Sequence, residues 1–158
     1  MSEEAAPKPF VAVATPFSAV ATPFVAVATP FSVAFEVRDS ELDAQGIVNN
    51  ANYLVYYEHA RHCFLRSRGI DFVAMHEGGL DAIVHRIEVD YRDSLRSGDE
   101  FSVSVAVERQ GRLRLIFVQD IVRKSDDRPV SSARVVTAVL SRGKPVPPTD
   151  DMVARLFG

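Results

Sequence analysis

The sequence predicts an α+β fold in which an antiparallel sheet of about five strands wraps around one long helix. Three observations predict it: one long helical pattern at residues 51–68, a strand pattern before it, and a series of alternating apolar and polar strand patterns after it. Apolar side chains cover much of the predicted helix, so we expect it to be enclosed rather than to rest on a surface. A sheet that curls around the helix would enclose it.

The N-terminal segment repeats with a period of seven residues, and its copies begin at Pro9, Pro16, Pro23 and Pro30. The unit is too short for a solenoid. The prolines would interrupt the hydrogen bonds of a spanning helix or a coiled coil. We therefore expect residues 1–30 to be a low-complexity arm and residues 31–158 to be the folded domain, which starts with a strand.

A polar loop at residues 38–49 separates this strand from the long helix. Asn50 is a suitable N-cap, Ala51 to Arg68 form the helix, and Gly69 ends it. Residues 72–77 predict one further helical turn.

Four strand patterns follow at residues 83–91, 101–108, 112–117 and 130–140. Turn residues separate the strands, residues 145–148 end the sheet, and Asp150 caps a last helix through Phe157. The predicted order is a strand, a loop, a long helix and then four strands. This is the order of the hotdog architecture.

Composition limits the classes of protein that this chain can be. Of its 158 residues 47% are hydrophobic and 25% are charged, as in an ordinary globular domain. The net charge of −3 argues against a general nucleic-acid binder, so we expect no nucleic acid as partner. The acidic start and the single Cys63 favour a cytoplasmic protein with no secretory signal and no membrane span.

The loop before the helix carries the chemistry. It places the carboxylate of Asp43 a few residues before the helix start, and Gly46 lets the backbone approach closely. Free N–H groups and the helix dipole at the start stabilise negative charge that develops on a carbonyl oxygen. The Asn50 amide would supply this stabilisation, while Asp43 either attacks the carbonyl or activates water. This combination suits the hydrolysis of a thioester.

The run Asp43-Ala-Gln-Gly-Ile-Val-Asn-Asn50, followed by Tyr53 and Glu58-His-Ala-Arg61, resembles the 4-hydroxybenzoyl-CoA thioesterase family. Residues 37–43 and 95–98 are most similar to plant acyl-lipid thioesterases of the methylketone synthase II type. Bacterial long-chain acyl-CoA thioesterases are similar at positions 37–38, 42–43 and 48–50. The resemblance covers about residues 32–142.

The resemblance implies a catalytic Asp43 and a carbonyl polarised by the Asn50 amide. It also implies a homodimer or homotetramer that acts on acyl-CoA or acyl carrier protein. No cofactor is expected, since water and a carboxylate suffice for the hydrolysis. The plant members make the plastid stroma the alternative location. The chain departs from the bacterial long-chain group at Ile47, where that group has His, so no role for that His is transferred.

Besides Asp43, Gly46 and Asn50, six residues are predicted to contact substrate: Asn49, Tyr53, Tyr57, Glu58, His85 and Arg96. Each has a structural alternative. Asp43 could form only an Asx turn, and the two asparagines could simply cap the helix. Glu58 is the second candidate base or a helix-surface ion pair, and His85 is a core group on an apolar strand face or a substrate contact. The two tyrosines are core residues or walls of an acyl pocket.

Two other functions compete with hydrolysis. A hotdog dehydratase needs a His at the helix start, and Ile47 and Asn50 provide none. An acyl-thioester-binding protein without turnover would keep the fold and lose the reaction. His59 and His62 lack zinc-ligand spacing, so no metal is expected. The sequence therefore predicts an acyl thioesterase.

Overall fold

The computed structural model describes residues 31–158, and the predicted arm at residues 1–30 lies outside this range. The described range contains six strands and three α-helices, with a short 3-10 helix at Asp39–Glu41. The strands are β1 (Phe31–Glu36), β2 (Leu80–Tyr91), β3 (Glu100–Gln110), β4 (Arg114–Arg123), β5 (Pro129–Ser141) and β6 (Lys144–Val146). The helices are α1 (Asn50–Ser67), α2 (Phe72–Glu77) and α3 (Asp150–Phe157).

The strands form one antiparallel sheet in the order β1-β3-β4-β5-β2, and β6 pairs with β5. Alternation sets the register, since β3 turns its valines inward and its serines outward. Phe35 of β1 stands opposite Phe101 of β3, and the two rings stack with centroids 5.2 Å apart. The predicted α+β class and the sheet around a long helix are confirmed.

The core lies between α1 and the inner face of the sheet. Tyr57, Ala60 and Phe64 of α1 are at most 1% exposed, and Val103 and Val105 of β3 meet them from the sheet. Burying such side chains stabilises the fold by roughly 1.5–3 kcal/mol each. This packing fixes α1, and therefore its first turn, relative to the sheet.

The prediction that α1 is enclosed is wrong for the single chain. One face of α1 packs on the sheet, but Leu54 is 38% and Val55 57% exposed on the other side. One sheet covers only one side of a helix, and the described part of the chain supplies no second layer there. Within residues 31–158, no helix has the length and apolar character needed to cross a membrane.

Three local predictions also need correction. Asn49, not Asn50, is the N-cap of α1, and Thr149, not Asp150, is the N-cap of α3. In both cases the side chain one position earlier reaches the free N–H groups of the first turn. The sheet does not end before Pro145, which lies in β6, because an edge strand tolerates a residue without an N–H group.

Candidate active site

The loop before α1 is a tight hairpin. Leu42 and Val48 form a bridge across it, and the Asp43 N–H donates to the Ile47 carbonyl at 2.8 Å. The Gly46 N–H donates back to the Asp43 carbonyl at 3.0 Å. Gly46 has φ of +71°, a left-handed conformation that side chains other than glycine disfavour. The hairpin thus pairs Asp43 with Ile47, three residues before α1 begins.

Asp43 is half-buried. Its Oδ1 accepts a hydrogen bond from the Gln45 N–H at 2.8 Å, so Asp43 does form the Asx turn of the structural alternative. This bond fixes the rotamer of the side chain and uses one oxygen. The second oxygen has no hydrogen-bond partner among the described residues. The turn and a chemical role are therefore compatible.

The Asn50 N–H group in the first turn of α1 is available. The Asn49 side chain accepts from the Ala51 N–H at 2.9 Å, and the Asn49 carbonyl accepts from the Asn52 N–H at 2.9 Å. Within residues 31–158 the Asn50 N–H has no such partner. A free N–H at the positive end of a helix dipole is a suitable donor to a carbonyl oxygen that gains charge.

Glu41 fastens the loop to α1. Its carbonyl accepts from the Asn49 N–H at 2.9 Å and from the Asn52 side chain at 2.7 Å. Its carboxylate accepts from the Tyr56 hydroxyl at 2.7 Å. Burial, and then the bond to the Glu41 carboxylate, raise the pKa of Tyr56, so its hydroxyl stays protonated and remains a donor. These contacts keep the hairpin in register with the helix start.

Tyrosines line the side of the helix start that faces β2. The Tyr91 hydroxyl donates to the Asn50 carbonyl at 3.0 Å. The Tyr53 ring packs edge-on against Tyr91 at 5.2 Å, and its oxygen accepts from the Leu95 N–H at 3.3 Å. Burial raises the pKa of Tyr53. Tyr53 is 3% exposed and Tyr91 is 47% exposed, so Tyr91 presents the more open surface next to Asn50.

The other predicted substrate contacts separate into buried and open positions. Tyr57 is 1% exposed, and its hydroxyl donates to Ser131 Oγ at 2.8 Å, which places it in the core. Glu58 is exposed on α1, with its carboxylate 4.0 Å from the His62 ring. Arg96 is exposed in the turn before β3, where its N–H donates to Asp99 at 2.8 Å. Contact between these side chains and substrate stays a prediction.

The core placement of His85 is wrong. The pairing of β2 with β5 shifts between Val84 and Arg86, so His85 stands at a β-bulge and is exposed. His85 also belongs to the run 81–87, in which every residue is exposed, so the alternating pattern of β2 does not mark a buried face there. The remaining residues of β2 keep their pairing on both sides of it.

A cavity of about 110 Å³, partly open to solvent, lies further along α1, and Glu58 is among its lining residues. Leu65, Met75 and Leu115 supply part of its mostly apolar lining, and Arg61 is also among the lining residues. Asp43 and Asn50 do not line this cavity. The hairpin and the first turn of α1 therefore form an open site at one end of the helix, and the cavity lies about two to three turns away.

Sequence reasoning missed Glu41, Arg61 and Tyr91. Glu41 and Tyr91 act through contacts across long sequence separations, which no local pattern reveals. Arg61 offered a signal, because a charged residue on the apolar stripe that holds Tyr57 and Phe64 predicts a buried polar contact. That contact is the Arg61–Gln119 hydrogen bond of 2.9 Å.

Comparisons with known proteins show the family of this chain. Residues 37–156 match the family model described as the thioesterase-like superfamily. The chain is 33% identical over 108 residues to the chloroplastic acyl-acyl carrier protein thioesterase ATL3 of Arabidopsis thaliana. That match covers 68% of this chain and 57% of the plant protein, so the chain spans little more than half of that relative.

Solved structures show the same fold. A hypothetical protein from Aquifex aeolicus superposes with a TM-score of 0.75 at 31% identity, covering 80% of this chain and 99% of its own. A 1,4-dihydroxy-2-naphthoyl-CoA thioesterase from Synechocystis superposes with a TM-score of 0.77 at 14% identity, covering 81% and 96%. At that identity the second likeness shows the fold alone.

Proposed function

The chain belongs to the thioesterase-like superfamily, and on this premise we propose that it hydrolyses an acyl thioester to a free acid and a thiol. The observation that carries the proposal is the free Asn50 N–H at the start of α1, beside a hairpin that holds Asp43. The two groups supply what the reaction needs, an oxyanion donor and a carboxylate.

In the proposed reaction the thioester oxygen lies against the Asn50 N–H. Charge that develops on this oxygen gains from the helix dipole, and one such donor is worth about 10² to 10³ in rate. Asp43 either attacks the carbonyl carbon, giving a mixed anhydride that water then cleaves, or takes a proton from the attacking water. In both routes the C–S bond breaks and the sulfur leaves as a thiolate. The proton that converts it to the thiol comes from the hydrolysing water, and in the general-base route Asp43 passes it on. Neither route uses a metal or a cofactor.

We propose acyl-CoA or acyl carrier protein as the thiol carrier. The plant relative is named for a carrier-protein substrate, and the Synechocystis structure for a CoA substrate. Both carriers end in a phosphate-bearing arm, and the exposed Arg96 stands in the loop whose Leu95 carbonyl accepts from the Val48 N–H at 2.9 Å. Arg96 is therefore the proposed phosphate contact.

We further propose that two copies pair through β2. This strand has twelve residues, and β5 is its one partner within the described range. The strand also carries three apolar side chains, Ile83, Val84 and Ile87, that are each at least 39% exposed. Antiparallel pairing about a two-fold axis would bring the Leu80 end of one copy to the Tyr91 end of the other. The open side of each site would then gain a wall from the second copy.

A thiol-release screen tests the proposed function. The protein is incubated with acyl-CoA and acyl carrier protein thioesters over a range of chain lengths. Benzoyl-CoA is included as the aromatic substrate. We expect thiol release above the uncatalysed rate from at least one carrier. Binding of these thioesters without thiol release would contradict hydrolysis and support an acyl-binding protein.

A further inference from the structure

The cavity along α1 contains a charged group that the proposed reaction does not use. Arg61 lines it and is 7% exposed. Its Nη1 donates to Gln119 Oε1 at 2.9 Å, and Gln119 Nε2 donates to the Tyr57 carbonyl at 3.0 Å. Gln119 therefore holds the guanidinium at a fixed place in the wall of the cavity.

The rest of the guanidinium lacks protein partners. Within residues 31–158, no carboxylate lies within 4.0 Å of Arg61, and the Gln119 bond is its one hydrogen bond. Every fully buried side-chain nitrogen within the same range has a hydrogen-bond partner. The remaining Arg61 nitrogens have no partner there, so they must border open space. Because Arg61 lines the cavity, these donors are available to a molecule inside it.

A cation that is largely buried needs acceptors, since a buried donor left without one is costly. An aliphatic chain that filled the cavity would displace water from Arg61 and would provide no hydrogen-bond acceptor in its place. A chain that carries an oxygen at this depth would replace the water. The chemistry of the wall therefore favours an oxygen-bearing occupant.

The site and the cavity lie along the same two elements, α1 and β2. Tyr91 of β2 bonds to Asn50 of α1 at the site, and Val84 of β2 and Arg61 of α1 line the cavity. The exposed apolar side chains on these two elements include Leu54, Val84 and Ile87. From Asn50 to Arg61 the helix rises about 16 Å, which an extended chain of roughly a dozen carbons spans.

Building on the proposed thioesterase function, we propose that the cavity is a second substrate subsite. It holds the distal part of the acyl chain and selects chains that carry an oxygen acceptor there, with Arg61 as the donor. The class of substrate is a long acyl thioester with a hydroxyl, oxo or carboxyl group near its far end. Arg61 is a specificity residue in this proposal and takes no part in bond cleavage.

The test compares plain dodecanoyl-CoA with dodecanoyl-CoA carrying a terminal hydroxyl, a penultimate oxo or a terminal carboxyl group. We expect kcat/KM for at least one substituted chain to exceed that of the plain chain about ten- to hundredfold, the range of a hydrogen bond to a charged group. In Arg61→Met the ratio of kcat/KM for the substituted chain to kcat/KM for the plain chain should fall to one or below. The three arms identify the acceptor.

Arg68→Met is the matched control, since Arg68 is the C-cap residue of α1, lies against the Phe64 ring at 5.4 Å and does not line the cavity. It should keep the wild-type ratio. If Arg61→Met does not fold, the wild-type ratio and the ratio measured in Arg61→Lys still test the subsite. A wild-type preference for the plain chain, or a ratio that Arg61→Met leaves unchanged, overturns the subsite.

The two proposals fail in different ways. Thiol release with no preference among the chains overturns the subsite and leaves the proposed function intact. If no chain releases thiol, the proposed function fails. Calorimetric Kd values for the same thioesters then test the subsite. The quantity compared is the affinity for a substituted chain relative to that for the plain chain.

Discussion

Asn49 and Asn50 are neighbours in the chain with different hydrogen-bonding roles. The Asn49 side chain caps the Ala51 N–H, and Asn50 contributes its main-chain N–H to the proposed oxyanion site. Because that donor belongs to the backbone, a change of side chain at position 50 does not remove it. Loss of the cap would act differently, since it frays the turn that holds the donor.

Asp93 makes a pH-dependent contribution to stability. Its bond from the Ser94 N–H, and then its contact with Arg123, lower the pKa of this carboxyl below its ordinary 3.8. The stabilisation is therefore present above about pH 3.8 and is lost as pH falls through the folded-state pKa. Asp93→Asn should lower the free energy of unfolding at neutral pH, by at most about 1 kcal/mol for a partly exposed pair.

Urea unfolding at neutral pH and near pH 3 measures this effect. Wild type should lose more unfolding free energy between the two conditions than Asp93→Asn does. Asp90→Asn is the control, because the Asp90 side chain makes no hydrogen bond with the described residues. Equal losses in wild type and Asp93→Asn would contradict the assignment.

At the scale of elements, local signals predicted the helices closely. The apolar period and Gly69 predicted α1 to within one residue at each end, and α2 was predicted at its observed residues 72–77. The strand β4 was predicted at 112–117 but runs to Arg123. Gln119 is a buried polar residue of β4 and interrupts the apolar pattern of the strand. Its hydrogen-bond partners Arg61 and Tyr57 are remote in sequence, so no local pattern predicted its burial.

The edge of β2 is the element on which the proposed pairing depends. Ile87→Glu should convert the dimer to a monomer, because two buried carboxylates would face one another near the two-fold axis. Leu113→Glu is the matched control, since Leu113 is 41% exposed and Ile87 39%, and Leu113 lies in the β3–β4 turn. Sedimentation velocity distinguishes the two states.

A wild-type protein that sediments as a monomer would contradict the pairing. So would an Ile87→Glu variant that remains a dimer while Leu113→Glu dissociates. Either result would leave the hairpin and the first turn of α1 as a site open to solvent in each copy.

At the scale of the molecule, the sequence predicted the local part of the candidate site. Asp43, Gly46 and Asn50 are close in sequence, and their hairpin and helix start lie together in the structure. The surroundings depended on the sheet, and the apolar pattern of α1 did not reveal which side stays uncovered. Tyr91 reaches Asn50 across 41 residues, so only the fold brings them together.

The most direct test of the central claim is the turnover of Asp43→Asn. Asn keeps an oxygen that can accept from the Gln45 N–H but cannot attack the carbonyl or take a proton, so kcat should fall by about 10² to 10⁴. Asp39→Asn, a change in the same loop, should retain wild-type kcat. Near wild-type turnover in Asp43→Asn would contradict the account.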